Sequence, residues 1–508
     1  MDLRQRKKED LTTLAVLSAC FLVAMLLCSG FTSPLFPHYL GDDSAIFTLL
    51  GKGILEGKRL YVDLFDHKGP MIFLVNALGY WLGGRTGIFL LQCVEGIFCL
   101  VLLYYTGKRL RPDGWGTSWR EFLPLFAIAY IQFFYTFERG NLTEEHSLPA
   151  ICLSLFLLVK YASTAEEKPE HPPLYGFVYG VSLGYLALMR LNNAATVCGG
   201  VLFVAVWLII KKQYGSLLKN LLAGCLGMAV VVLPILGWFY AQGSLREMIY
   251  ATFLHNFRYM AANWTSLRES LPQLPKLVVL YLPVVACAVM AIRGKNIQKR
   301  SSLDGLLASV FLINVGVLLA ANCATHYFVI FFPVFAVFLC RYFRFEKKSL
   351  STFLVVIATV ANLLNIGKLC GSSVYRVYID KTAGARYATV KADFDRIPEQ
   401  ERDSVIGYEI RTQIYLLGDI MPCYKYYALQ ETWARTAPFI GEEFMDYVEN
   451  EEPLWVLTEP GQDNEELLRI LGEKYTRQFE NEYVVYYRLN DTELPNTLDE
   501  GARTIDET

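Results

Sequence analysis

The sequence is short of several things that would point to familiar chemistry. It has twelve cysteines, but none forms a CxxC pair, so it offers no zinc-ribbon or thioredoxin-like spacing. Only Cys323, Cys370 and Cys423 lie outside apolar runs, where a cysteine acts as a small hydrophobe. Charge of one sign is also missing: 47 Lys and Arg balance 49 Asp and Glu to a net −2. With no dense basic patch, nucleic acid is excluded as a partner. No short-period repeat is present, which excludes solenoids and propellers. The basic start carries no small-residue cleavage site, so the first apolar run is expected to stay as an anchor.

Apolar runs are abundant. The chain is 54% hydrophobic and 14% aromatic, against about 45–50% apolar in soluble domains. Runs of about 20 residues with almost no charge match the roughly 30 Å of hydrocarbon that a helix must cross. Arg4, Arg6, Lys7 and Lys8 place the N-terminus in the cytoplasm by the positive-inside rule. The same rule puts the Lys108, Arg109, Arg111 cluster inside, along with Lys211, Lys212 and Lys219. It does so again for Arg293 with Lys295, Lys299 and Arg300, and for Arg341 with Arg344, Lys347 and Lys348. Alternation then works only if the short run 71–83 is a juxtamembrane or re-entrant helix rather than a crossing. The fold class expected is mainly α: a polytopic membrane bundle of about eleven spans plus juxtamembrane helices.

Composition changes near Cys370. Strand-like runs at 404–408, 454–458 and 483–488 alternate with helical stretches at 442–450 and 464–473. That pattern predicts a small extracytoplasmic α/β domain over 370–489, after a membrane domain over 1–369. An acidic tail, 490–508, is expected to be disordered.

The polar stretch between the first two apolar runs, Gly41 to Pro70, carries Asp42, Asp43, Asp63, Asp66, His67 and Lys68. Phe47, Tyr61 and Phe65 are spaced as if to lie on a membrane surface. A wet loop would have similar composition. However, paired acids just beyond an apolar helix are where burial and like-charge repulsion tune a carboxylate towards base chemistry. A lysine at the mouth of the next helix can meet a phosphate at headgroup level. Glu144, Glu145 and His146 form a second acidic cluster in a later outward loop.

The run Asp43-Ser44-Ala45-Ile46-Phe47, with Gly57, Tyr61, Asp63 and Asp66 to Pro70, resembles the first outer loop of bacterial polyprenyl-phosphate-sugar-dependent glycosyltransferases of the GT-C fold. That superfamily includes protein mannosyltransferases and aminoarabinose transferases. Asn141 to His146 resembles its second acidic loop, and His326-Tyr327 ahead of Phe332-Pro333 its late His-Tyr segment. Together these motifs span residues 1–366. The resemblance implies an inverting transfer of a hexosyl or pentosyl group from a polyprenyl-phosphate donor to an extracytoplasmic glycan, lipid or protein. It implies Asp43 as the acid that deprotonates or orients the acceptor, with Asp42 as substitute. It also implies Lys68 on the leaving phosphate. Two departures stand out: Asp42-Asp43 replaces an acidic pair ending in glutamate, and Gly69-Pro70 follows Lys68 where the family has two prolines. The glycine predicts a looser turn.

His67, Arg190 and Arg258 are further candidates for the donor phosphate, and Asp66, Glu144, Glu145, His326 and Tyr327 for the acceptor or sugar. Each has a plainer reading. Arg190, beside Asn192 and Asn193, is equally a snorkelling arginine. His255, Asn256, Arg258 and Tyr259 suit an interfacial helix as well as a cap over the site, and His326 a helix end. Glu95, mid-span, is either functional or paired within the bundle. Three Asn-x-Thr runs, at 141, 263 and 490, match glycosylation acceptors. No cofactor is predicted. Clustered carboxylates are able to hold a divalent metal, but no metal site is expected. The reading is a multi-pass plasma-membrane glycosyltransferase of the cell envelope. Its alternatives are a transporter or flippase of a lipid-linked sugar, which would favour paired repeats and mid-membrane polar groups, and a non-catalytic assembly protein.

Overall fold

A computed structural model describes residues 3–110, 119–258, 273–293, 301–320, 324–345 and 349–490. Arg111, Tyr259, the Asn263 acceptor, Lys295, Lys299, Arg300, Cys323, Lys347, Lys348 and the tail from 491 lie outside them. The chain divides into two compact units, 1–388 and 389–508. The helix that starts at Leu350 runs on through the composition change at Cys370, and the division falls within the helix Thr382–Phe394.

The first unit is helical: α1 (Leu3–Cys28), α2 (Asp42–Leu55), α3 (Pro70–Leu110), α4 (Trp119–Thr136), α5 (Thr143–Ala162), α6 (Pro173–Met189), α7 (Ala195–Ile210) and α8 (Tyr214–Ala241). A short α9 (Leu245–Ile249), α10 (Leu274–Arg293), α11 (Ser301–Ala320), α12 (Phe332–Tyr342) and α13 (Leu350–Val374) complete it. Among the described residues, 8 helical stretches are long and apolar enough to cross a membrane. The three other expected spans coincide with α4 and α6, which are apolar but shorter, and with α5, whose first turn carries Glu144 and Glu145.

Helix α3 is two arms joined at Gly83 and Gly84, both with left-handed φ (159° and 61°). A Cβ on Gly79 would lie 2.8 Å from the Cα of Ile88, so the arm from Pro70 turns back on the arm to Leu110. Proline at the first position starts the helix without losing a hydrogen bond. The glycine pair then lets it reverse, so the 71–83 run is half of a helical hairpin. Elsewhere, small residues bring helices close. Gly176, Gly180 and Gly184 recur every fourth residue along one face of α6, and a Cβ on Gly180 would sit 1.9 Å from the Gly224 carbonyl of α8. Where lipid offers no hydrophobic drive, such close approach supplies the van der Waals contact that holds helices together.

The second unit holds a four-stranded sheet in the order β1-β2-β4-β3, with β1 (Val405–Tyr408), β2 (Trp455–Thr458), β3 (Tyr475–Glu480) and β4 (Val485–Leu489). β1 and β2 are parallel; β4 is antiparallel to β2 and β3. β1 and β2 are buried at every position, as the continuous apolar runs required. β3 was not evident in the sequence because its central residues Thr476, Arg477 and Gln478 are exposed.

Candidate active site

The site grows from the N-terminus of α2. Gly41 precedes Asp42 and Asp43 in the first turn, where the helix dipole favours negative charge. Apolar Ala45, Ile46, Leu49 and Leu50 are wholly buried and fix the helix against its neighbours. Asp42 is exposed, whereas the Asp43 side chain is 45% exposed and turns towards Lys68.

The loop after α2 is held by its own polar groups. Arg59 grips Asp63 through its backbone N–H (2.7 Å) and its guanidinium (2.9 Å). Tyr61, in a left-handed conformation (φ 68°), donates to the Lys68 carbonyl at 2.8 Å. Asn256 donates to the His67 carbonyl at 2.6 Å. Asp66 is wholly buried and accepts the Lys68 backbone N–H at 2.8 Å. Gly69 lies so near the end of α6 that a Cβ there would be 2.0 Å from the Leu188 carbonyl oxygen. The turn is therefore tightly seated, not loose: the missing side chain lets two backbones touch. Phe47, Tyr61 and Phe65 are not surface aromatics either. They are 1–3% exposed and pack on Phe73, Phe239 and His255.

Lys68 is thereby presented between two carboxylates, its Nζ 3.7 Å from Asp43 and 3.6 Å from Asp66, and 5.3 Å from the centre of the Phe47 ring. Burial works against the ammonium, but Asp43 and Asp66 outweigh it and hold the lysine above its ordinary value. The same cation holds the Asp43 carboxyl below the usual range; burial opposes this, while His326 and Arg190 add to it. Burial pushes the Asp66 carboxyl up, against the pull of Lys68. His67 is driven well below its normal value by burial and then by Lys68, so it is a neutral imidazole.

Arg190 ends α6 and joins this group. It meets Glu144 at 2.5 Å and lies 4.1 Å over the Tyr327 ring. This ion pair with Glu144 is an arrangement that neither the phosphate-contact nor the snorkelling reading included. Glu144 also accepts from Thr143 at 2.9 Å. His326 meets Glu138 at 3.0 Å. Asp43, Asp66, Lys68, Arg190, Glu144, His326 and Tyr327 thus converge at one end of the bundle, although they come from five separate segments.

Other candidates lie elsewhere. Glu145 points inward, accepting from Gln92 and from the Asn141 backbone, both at 2.8 Å. This carboxylate is 5% exposed and organises the loop. Arg258 is exposed, beyond His255. Glu95 pairs with His146 at 2.7 Å, the plainer of its two readings. The sequence reading missed Glu138. The run 138–141 has positive φ at every residue, and only Gly140 and Asn141 announce such a backbone. It also missed the reciprocal amide pair of Asn76 and Asn141 (2.9 and 3.1 Å). Asn141 donates from there to Ser44 at 3.0 Å, next to Asp43. Among the described residues, no group of three or more His, Cys, Asp or Glu side chains is placed to hold a metal ion.

No curated protein matches the sequence. Among solved structures, the chain is similar to ArnT from Cupriavidus metallidurans bound to undecaprenyl phosphate, with TM-score 0.54 and 13% identity over 93% of this chain and 97% of that one. The oligosaccharyltransferase of Archaeoglobus fulgidus in the apo form also matches, at TM-score 0.41 and 12% identity over 96% of this chain and 75% of the other. The first similarity shows a GT-C membrane fold, as the loop motifs implied. A family model described as "Putative competence-induced protein Ccs4 N-terminal domain" matches residues 4–352, and the protein belongs to that family.

Proposed function

We propose that the protein is a membrane glycosyltransferase that moves a sugar from a polyprenyl-phosphate donor to an extracytoplasmic acceptor, with inversion at the anomeric carbon. The observation that carries this reading is the Asp43–Lys68–Asp66 cluster, with a cation and a carboxylate 3.7 Å apart and Arg190 close enough to act on both. The undecaprenyl phosphate bound to the ArnT neighbour supports the donor class.

The acceptor hydroxyl attacks the anomeric carbon opposite the phosphate, the bond to the phosphate oxygen breaks, and the hydroxyl proton passes to Asp43. In the resting protein Lys68 makes Asp43 a weak base. A donor phosphate entering beside Lys68 competes for that ammonium and restores the basicity of Asp43, so base strength rises only when donor is present. Lys68 and Arg190 take up the phosphate charge as it leaves, the electrostatic part of the catalysis. Glu144 holds Arg190 in place, and His326 with Tyr327 lines the sugar or acceptor side. The second unit helps recruit the acceptor. In this reading the cluster and the second unit are extracytoplasmic and the N-terminus cytoplasmic.

Purified protein incubated with labelled undecaprenyl-phosphate sugars tests this. Release of undecaprenyl phosphate with transfer of label is expected, and is lost in Asp43→Asn. Movement of intact donor between leaflets without turnover would overturn the proposal in favour of a flippase. Neither movement nor turnover across the donors tried, with no thermal stabilisation by undecaprenyl phosphate, would overturn it in favour of an assembly role.

A further inference from the structure

Cys28 and Cys370 are 342 residues apart in sequence, yet their Sγ atoms lie 3.7 Å from each other. Cys28 is the last residue of α1, and Cys370 lies one turn before the end of α13. Both are half-buried, each near an end of its helix. We propose that these two thiols form a disulfide, a covalent staple between the first and last helices of the membrane unit.

The surrounding backbone is already arranged for it. Just past Cys28, a Cβ on Gly30 would come within 2.9 Å of the Ser373 hydroxyl and 3.1 Å of the Arg139 side chain. Arg139 donates to Ser373 (3.1 Å), Ser372 (2.5 Å) and the Leu369 carbonyl (3.4 Å). Its guanidinium also lies 5.6 Å from the Phe31 ring. One arginine therefore holds the segment after Cys28 against the turn that carries Cys370. Forming the bond would close the sulfurs from 3.7 Å to the roughly 2.05 Å of a disulfide. Cys99 and Cys152 also pair, but they are 2% and 0% exposed, out of reach of a soluble oxidant.

The chemistry is thiol–disulfide exchange. One thiol loses its proton and attacks a disulfide oxidant, releasing one of the oxidant's sulfurs as a thiol. The second cysteine, also deprotonated, then displaces the other sulfur. Two electrons and two protons leave the protein, and the oxidant becomes two thiols. The inference stands independently of the transferase reading. Both cysteines are at the same end of the bundle whichever face that end occupies.

The test uses the full-length protein in detergent, reduced and then treated with oxidised glutathione. Free thiols are capped with a maleimide–polyethylene glycol, and the products are read by gel shift and peptide mass. The expected result is a linked peptide containing Cys28 and Cys370. Both residues should be uncapped in the oxidised sample and capped in the reduced one. The melting temperature should be higher after oxidation in wild type, and this rise should be absent in Cys28→Ser and in Cys370→Ser but kept in Cys198→Ser. Full capping of both residues after oxidation, or linkage of either to a different partner, overturns the proposal.

Discussion

At the scale of single residues, Asp43 and Lys68 set each other's charge. Asp43 is nearly half exposed, so Asp43→Asn should leave the fold intact while lowering turnover by about 10²–10⁴, the range for a lost acid–base group. Circular dichroism and labelled-donor turnover on the same preparation check both halves. Lys68→Ala should raise the donor KM about ten- to a hundredfold, equivalent to about 1.5–3 kcal/mol for a lost charged hydrogen bond. Acceptor KM should stay put. The pH dependence has a definite sign. The Asp43 carboxyl is held below its ordinary 3.8, chiefly by Lys68. It is therefore ionised throughout the neutral range, and the stability it contributes is present above 3.8 and lost as pH falls through its lower folded value. The acid limb of kcat/KM should accordingly move to higher pH in Lys68→Ala, measured as initial rates across a buffer series. An unmoved limb would separate Asp43 from the titration that governs rate.

At the scale of elements, the position of α2 depends on a buried polar network. Ser44, Asn76 and His146 all bond to the Asn141 side chain. Replacing it with alanine takes this partner from the Asn76 amide, the Ser44 hydroxyl and a His146 ring nitrogen, all buried, at about 1–3 kcal/mol. Asn141→Ala should therefore melt at lower temperature and lose activity together. Gly69→Val should behave differently. Its side chain would collide with the Leu188 carbonyl and push the Lys68 turn off α6, so donor binding should suffer more than the melting temperature. Thermal shift with and without undecaprenyl phosphate distinguishes the two. Some of this scale is legible in sequence: Pro70 marks the start of α3, whereas α2 lies in a stretch whose polar composition reads as a loop. Gly83-Gly84 marks a break, but its direction depends on Gly79 meeting Ile88, a contact no local pattern carries. The looser turn expected from Gly69 failed for the same reason. Glycine signals freedom in an isolated peptide and close packing when another backbone fills the space.

At the scale of the whole molecule, labelling tests the proposed orientation. If the cluster is extracytoplasmic, cysteine introduced at exposed Asp42 should react with a membrane-impermeant maleimide in intact cells, and cysteine at exposed Lys211 only after permeabilisation. The reverse pattern would put the site on the cytoplasmic face and remove the proposed acceptors. The apolar spans, the polar stretch between the first two and three of the four strands of the second unit, β1, β2 and β4, were determined by sequence alone. Each is a local sum of transfer free energies or a local backbone preference, complete within about twenty residues. The tertiary structure decided that Glu144 faces the cluster while its neighbour Glu145 turns away, that Arg190 pairs with Glu144, and that Glu138 meets His326. Such pairings depend on distances between residues far apart in the chain, and those distances exist only once the helices have packed.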